Sequence, residues 1–177
     1  MRGAPRIRYL AYGSNMWRHR IELRLGVCEL VGVVSLGEYT LRFHKRGGDG
    51  SGKCDAFHTG NSADALYGVV YSLTRTQRDM LDEFEGPGYV TREVSVRAQS
   101  GKFTAYVYVA KAKHVEADLR PFGWYKSIVV AGARAHALPA QYVESIDCVG
   151  ASLDPDSERN THHMAILNGD VPGGVDR

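Results

Sequence analysis

Short runs of β-branched and aromatic residues, separated by Gly and polar residues, dominate the first two thirds of the chain. Such runs are typical of strands, because branched and aromatic side chains pack well on a pleated surface. They predict strands at residues 7–12, 28–35, 38–44, 54–58, 66–73, 89–98 and 103–110. The connection Gln99–Lys102 is short and contains Gly, so the last two runs are expected to form a hairpin.

Apolar residues recur at helical spacing in the intervening and later segments, and four helices follow, at residues 16–25, 74–85, 122–137 and 140–148. Ser14 or Asn15 is expected to cap the first helix. Thr74 and Gln77 have the spacing of a capping box, and Gly86 is expected to end that helix. Grouped strands with interspersed helices predict the α+β class: a single domain with a small, mixed, barrel-like sheet flanked by helices.

The composition changes near the carboxyl end, where Asp, Pro, Gly, Asn and His become frequent. We therefore expect one domain over residues 1–149 and a tail over residues 150–177, which is either irregular or a short docked helix. His162 and His163 lie in this tail. An exposed pair of histidines is more often without a ligand than bound to a metal or a partner, so no metal site is predicted there.

The net charge of the chain is only +2, from 22 Lys and Arg against 20 Asp and Glu, so it gives little information about binding partners. This value does not favour binding to nucleic acid or to a membrane surface. The sequence shows no apolar run long enough to span a bilayer and no signal-peptide core, which predicts a cytoplasmic protein. Cys28, Cys54 and Cys148 are odd in number and widely spaced, so reduced, partly buried thiols are expected.

A Gly-rich segment at Arg46–Lys53 has the appearance of a phosphate-binding loop. It lacks the complete Gly-x-x-x-x-Gly-Lys-Ser/Thr pattern of such loops, since Cys54 follows Lys53, and strands are predicted on both of its sides. We therefore interpret it as a flexible loop and not as a nucleotide site.

The first segment with candidate chemistry is Tyr9–Met16, where a buried strand turns through Gly into a helix. A turn of this kind directs several backbone N–H groups to one point, which suits a carboxylate or a developing oxyanion. An ordinary strand–turn–helix with a capping Ser would have the same pattern, and this segment alone does not separate the two interpretations.

The second segment is Leu81–Gly86, in which Asp82 and Glu85 share one face of the predicted helix. Glu85 stands at the helix end, where the partial negative charge raises the pKa of a carboxyl, and a nearby Asp82 would raise it further. A carboxylate of this kind suits a general base. The alternative is a solvated acidic helix end.

Together these segments resemble the γ-glutamylcyclotransferase-like family. Tyr9-Leu10-Ala11-Tyr12-Gly13-Ser14-Asn15-Met16 resembles its opening loop, and Leu81-Asp82-Glu83-Phe84-Glu85-Gly86 resembles its catalytic-glutamate segment. Residues 124–129, 131–133 and 138–142 follow the family's order, so the resemblance runs from about Arg8 to about Cys148. It implies Glu85 as the catalytic acid–base group and no cofactor or metal. The substrate-binding residues that it implies are Tyr9, Leu10, Ala11, Tyr12, Gly13, Ser14, Asn15, Tyr89 and Tyr125.

The reaction implied by this resemblance is attack of the substrate's α-amine on its γ-carbonyl, which releases 5-oxoproline and an amine or amino acid. The partner is then a small-molecule γ-glutamyl compound, whose leaving group the sequence leaves open. Two alternatives use the same residues: a non-catalytic ligand-binding module of the same fold, and an acyltransferase that passes γ-glutamyl to an external amine. Some relatives are dimers, which makes a homodimer a weak expectation that no feature of this sequence tests.

Overall fold

Seven strands and five α-helices make up residues 6–170, the part of the chain that this computed structural model describes. The strands are β1 (Ile7–Ala11), β2 (Glu29–Gly37), β3 (Tyr39–Arg46), β4 (Gly52–His58), β5 (Ala65–Leu73), β6 (Tyr89–Ala98) and β7 (Gly101–Ala110). The helices are α1 (Arg18–Leu25), α2 (Arg75–Glu85), α3 (Gly123–Ala135), α4 (Ala140–Asp147) and α5 (Ser157–Asn168). Five strands form a closed barrel in the order β1-β5-β2-β6-β7, and β3 and β4 form a separate two-stranded sheet. The predicted α+β class and barrel-like sheet are confirmed.

Strand β1 closes the barrel. It pairs with β5 in antiparallel register from Ile7 opposite Leu73 to Ala11 opposite Val69. On its other side it meets β7 through one parallel pair, Tyr9 opposite Tyr106. The second half of β1, Tyr9–Ala11, is buried on both faces, which explains why apolar residues follow one another there without the alternation of a half-exposed strand. The strand therefore ends at a fixed position at the mouth of the barrel.

Helix α3 packs closely against the turn that follows β1. The turn is a single 3-10 turn, Ser14–Met16, and Gly132 of α3 lies against it. A Cβ atom added to Gly132 would lie 2.7 Å from Met16 Cβ and 2.8 Å from the backbone nitrogen of Trp17. Only glycine allows the helix and the turn to come so close at this position. The contact also holds the face of α3 that carries Tyr125 opposite the turn.

One predicted cap is wrong and another is confirmed. Helix α1 begins at Arg18 after Trp17, with no side-chain cap, because Ser14 and Asn15 belong to the separate 3-10 turn. In α2 the Thr74 hydroxyl accepts from the Gln77 backbone, and the Gln77 side chain accepts from the Thr74 backbone, so the capping box is present.

The carboxyl-terminal segment contains the docked helix that was one of its two expected forms. Helix α5 packs against α1 and α3, and Ile166 is fully buried. His163 stacks on the Trp124 ring with their centroids 3.7 Å apart and is 7% exposed. The prediction of an exposed histidine pair is therefore wrong for His163, because the Trp124 indole covers it.

Cys28, Cys54 and Cys148 are all free thiols. Among residues 6–170 no group of three or more His, Cys, Asp or Glu side chains has an arrangement that could hold a metal ion. No helix in the same range combines the length and the apolar character that crossing a bilayer would require.

Candidate active site

A cavity of about 450 Å³ opens at the end of the barrel where β1 turns into Ser14–Met16. Its walls come from that turn, α1, the β3–β4 hairpin, the end of α2, β7 and α3. One wall is formed by five tyrosines, Tyr9, Tyr12, Tyr89, Tyr108 and Tyr125. Five cationic side chains also line the cavity, Arg20, Arg24, Lys45, Arg46 and Lys53. Among the described residues, Glu85 is the one carboxylate of the lining.

The side-chain amide of Asn15 holds the carboxylate in place. Asn15 Nδ2 donates to Glu85 Oε1 over 2.9 Å and to the Tyr9 hydroxyl over 3.0 Å. Arg24 Nη1 donates to Asn15 Oδ1 over 3.1 Å, which fixes the orientation of the amide. The turn after β1 and the end of α2 are thereby joined through one residue, and Glu85 has one defined position in the cavity.

The pKa of the Glu85 carboxyl is raised above its ordinary value, chiefly because burial disfavours the charged form. Arg24, the Asn15 hydrogen bond, Lys45 and Arg20 each favour the charged form and limit the rise. The predicted direction is confirmed, but Asp82 is not among these main causes. Its carboxylate instead accepts from the Tyr108 hydroxyl and from Arg78.

Three residues of the turn after β1 also line the cavity, and their backbone donors bear on its chemistry. Met16 N donates to Gly13 O and Trp17 N to Ser14 O, which closes the turn. Within residues 6–170, no protein acceptor takes a hydrogen bond from the backbone N–H groups of Gly13, Ser14 and Asn15, which line the cavity. These groups can receive an anion or a polarised carbonyl oxygen, as the sequence predicts.

The tyrosine hydroxyls mostly bond to the protein. Tyr12 donates to Tyr108 O over 2.6 Å, and Tyr89 donates to Cys54 O over 2.6 Å. The Tyr125 hydroxyl accepts from Cys54 N over 3.2 Å. Burial raises the pKa of Tyr12, Tyr89 and Tyr125 well above the ordinary value, so these phenols stay protonated at neutral pH and shape the cavity without acting as bases.

Most of the residues that the sequence assigns to the site lie together in this cavity. Leu10 and Ala11 do not. Both are fully buried in β1, where they face Val70 and Val69 in register, and neither lines the cavity. The residues that do line it are Tyr9, Tyr12, Gly13, Ser14, Asn15, Glu85, Tyr89 and Tyr125.

Sequence reasoning missed the cationic side chains of the cavity. Lys45 and Lys53 face each other in the register of β3 and β4, so the segment interpreted as a loop over Arg46–Lys53 is a loop only between Arg46 and Gly52. The signal for both lysines was their position at the two ends of the Gly-rich segment. Arg20 and Arg24 carry no such signal, because a charged residue on a short amphipathic helix usually faces solvent.

Comparisons with known proteins agree with this geometry. A model of the AIG2-like family matches residues 65–146, which contain Glu85 and Tyr125. The chain is similar to human gamma-glutamylcyclotransferase, with 31% identity over 151 residues that cover 80% of this chain and 77% of that protein. It is 30% identical to the bovine gamma-glutamylcyclotransferase over 152 residues, with the same shares covered.

A solved structure named gamma-glutamyl cyclotransferase superposes on this chain with a TM-score of 0.80 and 27% sequence identity. The match covers 93% of this chain and 99% of that structure. The similarity therefore extends over most of this chain and nearly all of that structure.

Proposed function

Since the chain belongs to the γ-glutamylcyclotransferase family, we propose that it cyclises the γ-glutamyl group of a small-molecule amide, releasing 5-oxoproline and an amine or amino acid. The observation that carries this proposal is the position of Glu85: a partly buried carboxylate of raised pKa, held by Asn15, which belongs to the same turn as Ser14. The reaction needs a base, an oxyanion site and a proton donor, and these groups can supply all three.

In the first step the substrate folds so that its α-amine approaches its own γ-carbonyl carbon. Glu85 removes a proton from the ammonium group, and the amine nitrogen forms a bond to the carbonyl carbon. The carbonyl oxygen becomes an oxyanion, which the N–H groups near Gly13 and Ser14 stabilise. The enclosed cavity supplies the folded geometry, which raises the effective concentration of the amine.

In the second step Glu85, now protonated, returns a proton to the nitrogen of the departing amine. The original amide C–N bond breaks as the oxyanion collapses, and 5-oxoproline and a free amine leave. Glu85 serves as base and then as acid for the first proton. The ring nitrogen still carries a second extra proton after the attack. This proton passes to the newly ionised Glu85 as the C–N bond breaks and is then released to water, where the free amine takes it up. The uncharged tyrosine walls limit access of water to the intermediate.

The pH dependence of the reaction follows from the raised pKa of Glu85. The base must be ionised, so kcat/KM is expected to fall as pH falls through the pKa of Glu85, at a pH above the ordinary glutamate range. A pH profile of 5-oxoproline release measures this fall of kcat/KM on the acid side. An acid limb at the ordinary glutamate pKa, or none, would contradict the assigned base.

The two alternative functions make different products. An acyltransferase yields a new γ-glutamyl amide when an external amine is added, and no 5-oxoproline. A non-catalytic module yields neither, but its melting temperature rises with a γ-glutamyl compound. Incubating the protein with a panel of γ-glutamyl amino acids and amines, and assaying 5-oxoproline and new amides, separates the three. A cytoplasmic location and a homodimer stay predictions from the sequence.

A further inference from the structure

Lys45 is a nearly buried cation in the wall of the cavity, 8% exposed. Its backbone is held on two sides, by Lys53 of β4 and by a bridge to Val115. Its ammonium nitrogen lies 4.6 Å from the centre of the Tyr89 ring. A Cβ atom added to Gly88 would lie 2.7 Å from Lys45 Cε, so the end of the side chain rests against this glycine. The ammonium group therefore has a defined place.

The neighbouring lysine shows what distinguishes Lys45. Lys53 Nζ donates to Asp49 Oδ2 over 2.7 Å and to Ser51 Oγ over 2.9 Å, so its charge is compensated within the hairpin. Lys45 forms no ion pair and donates no side-chain hydrogen bond within the described residues 6–170. Burial lowers its pKa, while Glu85 and Asp49 act in the opposite direction.

A nearly buried ammonium group without an anionic contact is costly unless a ligand supplies the charge. Glu85 is the one carboxylate among the described residues that line the cavity, against five Lys and Arg side chains. Glu85 is held by Asn15 and does not reach Lys45 as an ion pair. The positive charge of Lys45 would therefore be compensated by an anionic group of the substrate.

The position of Lys45 indicates which anionic group this is. The turn at Gly13, the Cys54 thiol and the Tyr125 hydroxyl lie together, since a Cβ added to Gly13 would come within 3.6 Å of both side chains. That end of the cavity suits the reacting glutamyl group. Lys45 lies beside Gly88 and His114, near the exposed Arg46. Its charge also acts on Glu85, the group that returns a proton to the departing nitrogen, so the leaving part of the substrate is the part that lies near Lys45.

We propose that Lys45 binds the carboxylate of the leaving amino acid and thereby selects γ-glutamyl amino acids over γ-glutamyl amines. This inference rests on the proposed function, because it assigns a role within the same reaction. A charge-assisted hydrogen bond at this position holds the part of the substrate that departs. The residue sets specificity, and Glu85 carries out the proton transfers.

The test compares two substrates that differ in one carboxylate, γ-glutamyl-alanine and γ-glutamyl-ethylamide, with the parent and Lys45→Met. Methionine keeps the unbranched stem against Tyr89 and removes the charge. The preference for γ-glutamyl-alanine, as the ratio of kcat/KM values, is expected to fall by about 10- to 100-fold. The loss should be in KM for γ-glutamyl-alanine. Any change that arises because Lys45 no longer acts on Glu85 affects both substrates alike and cancels in the ratio.

Three further variants sharpen the result. Lys45→Arg should retain part of the preference. Gly88→Ala should reduce it, because the added methyl displaces the ammonium group. Lys113→Met removes an exposed lysine beside His114 and should leave the preference intact, which controls for the loss of net charge. A melting curve for each variant confirms that it is folded.

An equal loss for both substrates in Lys45→Met would overturn the proposal, because Lys45 would then act on the glutamyl end or on Glu85. No 5-oxoproline from the parent with either substrate would overturn the proposed function instead. In that case calorimetric binding of the two compounds to the parent and to Lys45→Met decides the role of Lys45. If the parent binds γ-glutamyl-alanine more tightly than γ-glutamyl-ethylamide and Lys45→Met does not, the proposed role of Lys45 is supported. If the parent binds both compounds equally, that role is contradicted.

Discussion

Replacing Glu85 with glutamine is expected to lower the rate of 5-oxoproline formation by about 100- to 10,000-fold. Glutamine keeps the shape of the side chain and an oxygen for the hydrogen bond from Asn15, which is 2.9 Å long in the parent. It removes the group that we propose takes the ammonium proton and returns it to the leaving amine. The loss should therefore lie mainly in kcat, with KM changed much less.

The same substitution is expected to leave the protein at least as stable at neutral pH. Because the folded state raises the pKa of Glu85, the folded protein binds more protons than the unfolded chain between the two pKa values. The free energy of unfolding contributed by this group therefore falls as pH rises through that interval, and the loss is complete above the folded pKa. Glutamine carries no charge at any of these pH values, so the variant does not undergo this loss of stability.

Thermal melts of the parent and of Glu85→Gln across a pH series measure this difference. Glu83→Gln is a matched control on the same helix, since Glu83 is exposed and does not line the cavity. It should leave the rate near the parent value. A Glu85→Gln protein that is folded and retains more than about a tenth of the parent rate would show that another group acts as the base.

Replacing Gly132 with alanine is expected to damage stability and activity together. The added methyl would lie 2.7 Å from Met16 Cβ and 2.8 Å from Trp17 N, and the second of these atoms belongs to the backbone, which cannot rotate away. Overpacking of this kind typically costs about 1–3 kcal/mol. At this chain length each kcal/mol corresponds to about 2–4 °C in Tm.

The effect on activity follows from what lies on each side of the contact. Helix α3 carries Tyr125, and the turn carries the N–H groups of Gly13 and Ser14, so any separation of the two widens the proposed oxyanion site. Gly123→Ala is the matched control, because a methyl at that position of α3 meets nothing within 4 Å. Equal Tm and equal rate for the two variants would contradict the close packing of α3 on the turn.

The sequence predicted those features that depend on neighbouring residues. The capping box at Thr74 and Gln77 and the break at Gly86 are local signals, and α2 has these limits. The barrel strands were found for the same reason, since each has its own run of apolar residues. Glu85 was assigned as the base because a short segment around it resembles a known one. That assignment stays a prediction, while the direction of its pKa shift is confirmed.

Features that arise between distant segments were not predictable in this way. Asn15 had the pattern of a helix cap, but its amide bonds to Glu85, which is distant in sequence and near only once β1 and α2 are packed. Lys45 lay between the predicted strand at residues 38–44 and the Gly-rich segment, with no role assigned, and it packs against Gly88 and Tyr89. His163 is covered by Trp124 of another helix.

The closure of the barrel through the pair of Tyr9 and Tyr106 also bears on how the protein folds. Contacts between segments so far apart in sequence carry a large loop-closure entropy, and folds dominated by such contacts form slowly. The cavity uses β1, the β3–β4 hairpin, the end of α2 and α3, so it is complete only when this closure has occurred. In a refolding experiment, the return of 5-oxoproline formation should therefore follow the slowest phase seen by tyrosine and tryptophan fluorescence.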